Sequence, residues 1–377
     1  MIKITNKRLL VAVLSTAAAL GMTFPRTCAA AAGNAPGHTA LALPNADTPN
    51  ELGRIPILMY HSVGDKFTGK AAALSARLGL NISAATFRAQ LEAMYKAGWY
   101  PVNMRDILSP HLDVPKGKIP FAITFDDARR SQFYYRKDGS VDPNCALGVL
   151  LAMHQKYGQG WPNRASFYVV PSGKFNPPPF GQKSLVDKKL RFLVDQGFEV
   201  ANHSTSHHSM RNMSPRQLEQ EMETCFKYVR DRVPEATMDT MALPYGAAPR
   251  NRGSWGVLLD GKTVDPASTY HNRCILMAWG GTSYSPWDKR FDTKQVTRIG
   301  AEPGTIERCI ATLKHGKGSQ QPYISDGNSE VVTVPASQRQ HLAADKLAGL
   351  RLVVINDLPP TSEKKKQSTQ AVAKRTH

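Results

Sequence analysis

The chain has 377 residues, of which 41% are hydrophobic, and its formal net charge is +18 at neutral pH. This length suffices for one large domain or two ordinary ones. The positive charge suits an anionic partner such as a cell-wall polymer, a lipid surface or an acidic glycan. No nucleic-acid recognition motif accompanies the charge, so nucleic acid is not an expected partner.

The N-terminus has the pattern of an export signal at residues 1–30. Lys3, Lys7 and Arg8 form a basic start, an apolar run follows at residues 9–22, and small residues come next. The apolar run is short for a bilayer span, which favours a cleaved signal over an uncleaved anchor. We therefore expect a secreted, periplasmic or cell-envelope protein with no stable membrane span after signal cleavage.

Composition divides the rest of the chain into three segments. Residues 31–53 are rich in small and turn-forming residues and predict a linker, residues 54–360 predict a catalytic domain, and residues 361–377 predict a basic disordered tail. Four cysteines follow the signal, and they predict either two disulfides of unknown pairing or buried free thiols. They are Cys145, Cys225, Cys274 and Cys309.

Strand and helix patterns alternate along the predicted domain. Helices are predicted at 83–98, 145–157 and 184–196, and the capping box of Ser214 and Gln217 begins a fourth. Apolar strand patterns occur in RIPILMYHSV, IPFAITF, ASFYVV, FEVANH, TMALPYG, CILMAW and LRLVVIND. This alternation predicts an α/β fold with a parallel sheet, either open or closed into a barrel.

Acids and imidazoles follow several of these strands, where parallel α/β folds gather their reactive groups. An acid pair at the end of a strand is also common as a turn or cap, and a histidine-rich loop is common at a surface. The ordered combination carries more weight than any single element. Its members are Asp126, Asp127, His203, His207, His208, Tyr245, Asn356 and Asp357.

Two histidines four residues apart and one carboxylate suit a divalent metal such as zinc, with room left for water. The second carboxylate can then accept a proton from water that the metal activates. A bound cation also offsets the repulsion between Asp126 and Asp127. The sequence therefore predicts metal-assisted hydrolysis.

Three motifs resemble the polysaccharide deacetylases of the NodB-homology type, carbohydrate esterase family 4. They are TFDD at 124–127, HSTSH at 203–207 and LPYG at 243–246. The resemblance covers roughly residues 55 to 358 and implies a distorted (β/α) barrel with a single catalytic domain.

The resemblance also implies a role for each matching residue. Asp126 matches the general base, and Asp127, His203 and His207 match the metal ligands. The backbone N–H of Tyr245 matches the donor to the oxyanion.

Two positions depart from the family pattern. Ala242 stands where the family has the arginine that orients the catalytic aspartate, and we expect Arg298, or otherwise Arg273, to replace it. Asn356 stands where the family has the histidine that protonates the leaving group. A fourth family motif is not evident either.

Two histidines are candidates for the missing acid, His61 and His271. His61 follows a strand, so it is also a candidate for shaping the substrate pocket. Several aromatic residues in the C-terminal third are candidates for stacking on sugar rings, although most will pack in the core.

The predicted function is a secreted, metal-dependent deacetylase of an acetylated polysaccharide or cell-wall glycan, acting on N-acetyl groups of an amino-sugar polymer. The departures leave a catalytically impaired glycan-binding protein as an alternative. An O-acetyl esterase on glycan and an amidohydrolase on a small non-sugar substrate would use the same residues.

Overall fold

The computed structural model describes residues 48–64, 79–172, 178–261, 269–347 and 349–357. These residues belong to one compact unit. The predicted signal peptide, most of the predicted linker and the basic tail lie outside the described residues, so export stays a prediction. No described helix is long and apolar enough to cross a membrane.

The described strands are short and mostly buried. They are β1 (Ile57–Tyr60), β2 (Ser62–Val63), β3 (Asn81–Ile82), β4 (Trp99–Val102), β5 (Ile119–Phe125), β6 (Ser166–Val169), β7 (Glu199–Asn202), β8 (Thr240–Ala242), β9 (Cys274–Gly280), β10 (Val296–Gly300), β11 (Val331–Pro335) and β12 (Arg351–Ile355).

Two of the described α-helices begin at caps that the sequence predicts. Ser83 Oγ accepts a hydrogen bond from the Thr86 N–H at 2.9 Å, and Ser214 and Gln217 form the predicted capping box. The helices are α1 (Ala84–Lys96), α2 (Met104–Ile107), α3 (Ala146–Tyr157), α4 (Val186–Asp195), α5 (Pro215–Arg230), α6 (Trp255–Leu259) and α7 (Thr305–His315).

Seven parallel strands close into a barrel in the order β1, β10, β9, β8, β7, β6 and β5, and β1 pairs with β5 to complete the ring. β4 pairs with β5 as an additional strand. Every residue of β5 is buried, as its uninterrupted apolar sequence predicts. The predicted α/β class and distorted (β/α) barrel are thus confirmed.

The last predicted strand forms, but it does not belong to the barrel sheet. β12 forms as expected, but it pairs with β11 in a separate two-stranded sheet. Asp357 accepts hydrogen bonds there from the hydroxyl and N–H of Ser337, at 2.7 and 3.1 Å. Asn356 and Asp357 therefore do not follow a barrel strand, and aligning Asn356 with the family's acid histidine was wrong.

β10 closes the barrel in place of β12. Its sequence, VTRIG, has a buried arginine at its centre, so its apolar pattern is too weak to identify the strand from sequence alone. The closing strand is therefore the one that carries Arg298.

The end of the predicted linker is packed within the folded unit. Glu51 and Leu52 are buried, and Glu51 Oε2 accepts a hydrogen bond from the Thr333 N–H at 2.9 Å. The folded unit therefore extends N-terminal to residue 54. Of the two predicted states of the cysteines, the structure has the second: all four thiols are free and buried.

Candidate active site

The site begins where β1 and β5 end side by side. Tyr60 pairs with Phe125, and the Asp126 N–H donates to the Tyr60 carbonyl at 3.0 Å. His61 and Asp126, the next residues of the two strands, therefore lie next to each other. This parallel register brings together two predicted site residues that are far apart in sequence.

Asp127 faces two histidines from the loop after β7. Its Oδ1 atom lies 3.4 Å from His203 Nε2 and 3.0 Å from His207 Nε2, and all three side chains are buried. Their ligand atoms lie within 4.8 Å of one another. Among the described residues, no donor forms a hydrogen bond to this Oδ1 atom. A buried carboxylate oxygen without a donor is costly, and a cation between it and the imidazoles would satisfy it.

The tautomer of His203 fits a metal ligand. Its Nδ1 lies 2.8 Å from the Ala242 carbonyl oxygen. Because a carbonyl only accepts, Nδ1 carries the proton, and the lone pair of neutral His203 is on Nε2, which faces Asp127. Ala242 therefore acts on the site through its backbone rather than its side chain.

Arg129 holds the other oxygen of Asp127. Its Nε and one terminal nitrogen lie 2.8 and 2.7 Å from Asp127 Oδ2, and its other terminal nitrogen donates to Ser62 Oγ at 2.9 Å. Burial opposes ionisation, but His203, His207 and Arg129 hold the pKa of Asp127 well below its ordinary value. Arg129 was not among the predicted site residues; its only sequence signal is a basic residue two positions after the acid pair.

Arg298 reaches Asp126 from β10. Two guanidinium nitrogens donate to the two carboxylate oxygens, each at 2.8 Å, and Arg298 is fully buried. It also donates to Thr124 Oγ1 at 3.0 Å and to the Met277 carbonyl at 2.6 Å. Burial alone would raise the pKa of Asp126, but Arg298 and then His203 lower it to about 2. Asp126 is thus ionised at neutral pH and fixed in orientation.

A buried amide joins the two strand ends. The Gln132 side-chain amide donates to the carbonyl of His61 at 2.7 Å and to that of Asp126 at 2.6 Å. Burial lowers the pKa of His61 to about 4, against the opposing effect of the two aspartates. His61 is therefore neutral at neutral pH. Gln132 had no sequence signal, because a lone glutamine in a loop carries no motif.

Tyr245 lies in a tight turn after β8, with a positive φ of 58°. Its ring packs edge-on to the His207 ring at 4.6 Å between centroids, and 55% of the residue is exposed. Asp127, Ala128 and His207 also have positive φ. Such backbone is uncommon outside glycine, so the turns that carry these candidate site residues are strained.

An exposed tryptophan lies beside this turn. Trp279 is 62% exposed at the end of β9. A Cβ added at Gly246 would lie 3.1 Å from its ring and 3.0 Å from the Ala278 Cβ. Gly246, whose φ is +60°, therefore allows the turn to approach Trp279 closely.

The other replacement candidates lie elsewhere. Arg273 precedes β9, at the opposite end of the barrel, and donates to the Leu108 carbonyl. His271 is exposed and pairs with Asp260. His208 is exposed and lies outside the metal-ligand group. The structure thus brings Arg298 and His61 to the site, and neither Arg273 nor His271.

A family model described as polysaccharide deacetylase matches residues 113–256. The match contains Asp126, Asp127, His203 and His207, and it confirms the resemblance that the motifs indicated. It ends before β9 and begins after β1, so Arg298 and His61 lie outside it. No curated protein matches this chain.

Solved structures with a similar course of the chain include deacetylases. The Streptococcus pyogenes deacetylase PplD in complex with acetate has 18% identity and a TM-score of 0.49, covering 70% of this chain and 99% of that one. A polysaccharide deacetylase from Bacillus cereus has 16% identity and a TM-score of 0.49, covering 69% and 68%. Similarity at this level does not transfer an activity to this chain.

Proposed function

We propose that this chain, whose residues 113–256 match the polysaccharide deacetylase family, is a metal-dependent hydrolase that removes N-acetyl groups from an amino-sugar polymer. One observation carries the proposal. Asp127 Oδ1 faces the Nε2 atoms of His203 and His207 at 3.0 to 3.4 Å, next to an Asp126 that Arg298 keeps ionised.

Asp127, His203 and His207 would hold the cation, and this donor set suits zinc or a similar divalent ion. When bound, such an ion lowers the pKa of water and polarises a carbonyl group. Arg129 supports the binding because it occupies Asp127 Oδ2 and leaves Oδ1 directed at the imidazoles.

Asp126 is the candidate general base. It is ionised, lies beside the proposed metal ligands and is fixed by Arg298 through two hydrogen bonds, so it can accept a proton from the attacking water. The backbone N–H of Tyr245 is the candidate donor to the oxygen that becomes negative as the amide carbonyl is attacked.

Cleavage of the amide C–N bond requires a proton on the leaving nitrogen. His61 adjoins Asp126 across the β1–β5 pair and is the candidate to deliver it. Because the pKa of His61 is about 4, the imidazole is neutral at rest, so it would first accept the proton that Asp126 takes from water and then pass it to the leaving nitrogen.

The exposed rings of Tyr245 and Trp279 favour a glycan over a small non-sugar substrate. Both flank the site, and exposed aromatic faces suit sugar rings, which present apolar C–H surfaces. With the predicted export signal, this supports an envelope or extracellular glycan as the substrate.

Two observations favour an active enzyme over the catalytically impaired alternative. Arg298 makes the contact that Ala242 cannot, and Asn356 does not align with the acid position.

Acetate release tests the proposal. The mature protein, loaded with zinc or cobalt, would be offered acetylated chitooligosaccharides, peptidoglycan and acetylated xylan, beside Asp126→Asn. We expect release from the amino-sugar substrates by the parent only, with metal bound to both proteins. Metal binding without acetate from any substrate would contradict the enzyme, and acetate from xylan alone would identify an ester substrate.

A further inference from the structure

Three exposed arginines lie on the two loops that carry the candidate site. The loop at 203–214 contains both histidine ligands and then Arg211, and the loop at 244–254 contains Tyr245 and then Arg250 and Arg252. The Arg250 N–H donates to the Arg211 carbonyl at 3.0 Å. The two loops are therefore joined at these arginines.

The charge of these arginines is not balanced by an acid within their own loops. Neither site loop contains an aspartate or glutamate, and no ion pair between described residues involves the three arginines. Glu221 of α5 accepts hydrogen bonds from the N–H groups of Thr205 and Ser206 in the first loop, at 3.0 and 2.9 Å, and forms no ion pair with the arginines. The three guanidinium groups thus present positive charge that no described ion pair neutralises.

The arginines are within reach of the candidate site. Arg211 is four residues from His207, and Arg250 is five from Tyr245. At about 3.5 Å per extended residue, their Cα atoms lie within about 14 Å and about 18 Å of those site residues. An oligosaccharide of a few sugar units spans such a distance.

We propose that Arg211, Arg250 and Arg252 bind carboxylate groups of an anionic N-acetylated glycan while its acetyl-bearing sugar occupies the site. The inference rests on the proposed function and specifies its substrate class. A guanidinium matches a carboxylate with two parallel hydrogen bonds. The strongly positive chain would also attract such a polymer from a distance.

The experiment compares a neutral and a negatively charged form of the same oligosaccharide. Chitooligosaccharides and the same oligosaccharides with their C6 groups oxidised to carboxylates would be compared in calorimetric binding and in acetate release. We expect the parent to bind the oxidised form about tenfold more tightly, with the difference shrinking as salt increases.

Substitutions test whether the preference for the oxidised oligosaccharide depends on the three arginines of the two loops. The triple variant Arg211→Gln, Arg250→Gln and Arg252→Gln is expected to bind both oligosaccharides about equally, and the triple lysine variant to keep part of the preference. Arg351→Gln, an exposed arginine on β12, is the matched control and is expected to keep all of it.

Equal binding of the two oligosaccharides by the parent, or a preference that survives in the triple glutamine variant, would overturn the inference. The proposed function fails separately. If no oligosaccharide releases acetate but the oxidised form still binds through the three arginines, the proposed glycan-binding role of the arginines is supported and the proposed hydrolase activity is contradicted.

Discussion

The barrel buries Glu199 at its amino end and Asp126 and Asp127 at its carboxyl end, and Glu199 and Asp127 differ in their hydrogen bonds. At the amino end, Glu199 accepts hydrogen bonds from Ser166 Oγ at 2.6 Å, from the Arg105 N–H at 3.0 Å and from Thr240 Oγ1. Both of its oxygens have donors. At the carboxyl end, no described donor forms a hydrogen bond to Asp127 Oδ1.

Their titration differs accordingly. Burial raises the pKa of Glu199, since its donors are neutral and only partly offset the desolvation. Burial also opposes ionisation of Asp126 and Asp127, but neighbouring arginine and histidine side chains lower both of their pKa values. A buried acid is therefore not a functional signal by itself. The informative features are an oxygen without a donor and the positive groups gathered around it.

The largest expected effect is at the carboxyl end. Asp126→Asn removes the proton acceptor and should lower kcat by about 10² to 10⁴-fold. Acetate release under saturating substrate measures this, and metal content should stay at the parent level because Asp126 is not a proposed ligand. Activity within a few-fold of the parent would show that another group accepts the proton.

Arg298→Gln should shift the pH dependence of kcat/KM. Without the guanidinium, burial dominates and the pKa of Asp126 rises from about 2, so the acid limb moves to higher pH. Loss of the buried ion pair also costs about 3–5 kcal/mol of stability.

Two further variants separate these effects. Arg298→Lys keeps a positive charge, so its acid limb should move less. Arg273→Gln, at the amino end, should leave the limb in place. An unchanged limb in a folded Arg298→Gln protein would mean that Asp126 does not control activity.

Gln132→Met should have an intermediate effect. It removes the amide that joins the carbonyls of His61 and Asp126, each hydrogen bond being worth about 1 kcal/mol of folding stability. Because the two strand ends are then held less firmly in position, we expect about a tenfold loss in kcat with KM little changed. Gln182→Met, which removes hydrogen bonds to the Tyr135 backbone, is the control for a general loop effect. Equal losses in the two variants would assign Gln132 to folding alone.

Glu199→Gln should have the smallest effect on catalysis. The substitution replaces one carboxylate oxygen by an NH2 group, which cannot accept the hydrogen bonds of the hydroxyl and backbone donors around it. This costs about 1–3 kcal/mol of stability. Denaturant unfolding measures that loss, while kcat of the folded protein should stay near the parent value. A loss of kcat comparable to that of Asp126→Asn would remove the distinction between the two ends.

The sequence by itself determined the local features. Strand and helix patterns, the caps at Ser83 and Ser214, and the grouping of Asp126, Asp127, His203 and His207 after strands all depend on residues close together in the chain. The family resemblance could be stated for the same reason, because each of its motifs is a short contiguous segment.

Only the tertiary structure decided which strand closes the barrel, and with it the partner of Asp126. β10 contains a buried charge at its centre, so neither its strand character nor its pairing with β1 is evident from local pattern. The contacts of Arg298 and Gln132 likewise join segments that are distant in sequence or have no motif. Pairing across the barrel depends on which surfaces bury each other, and local residue patterns do not contain that information.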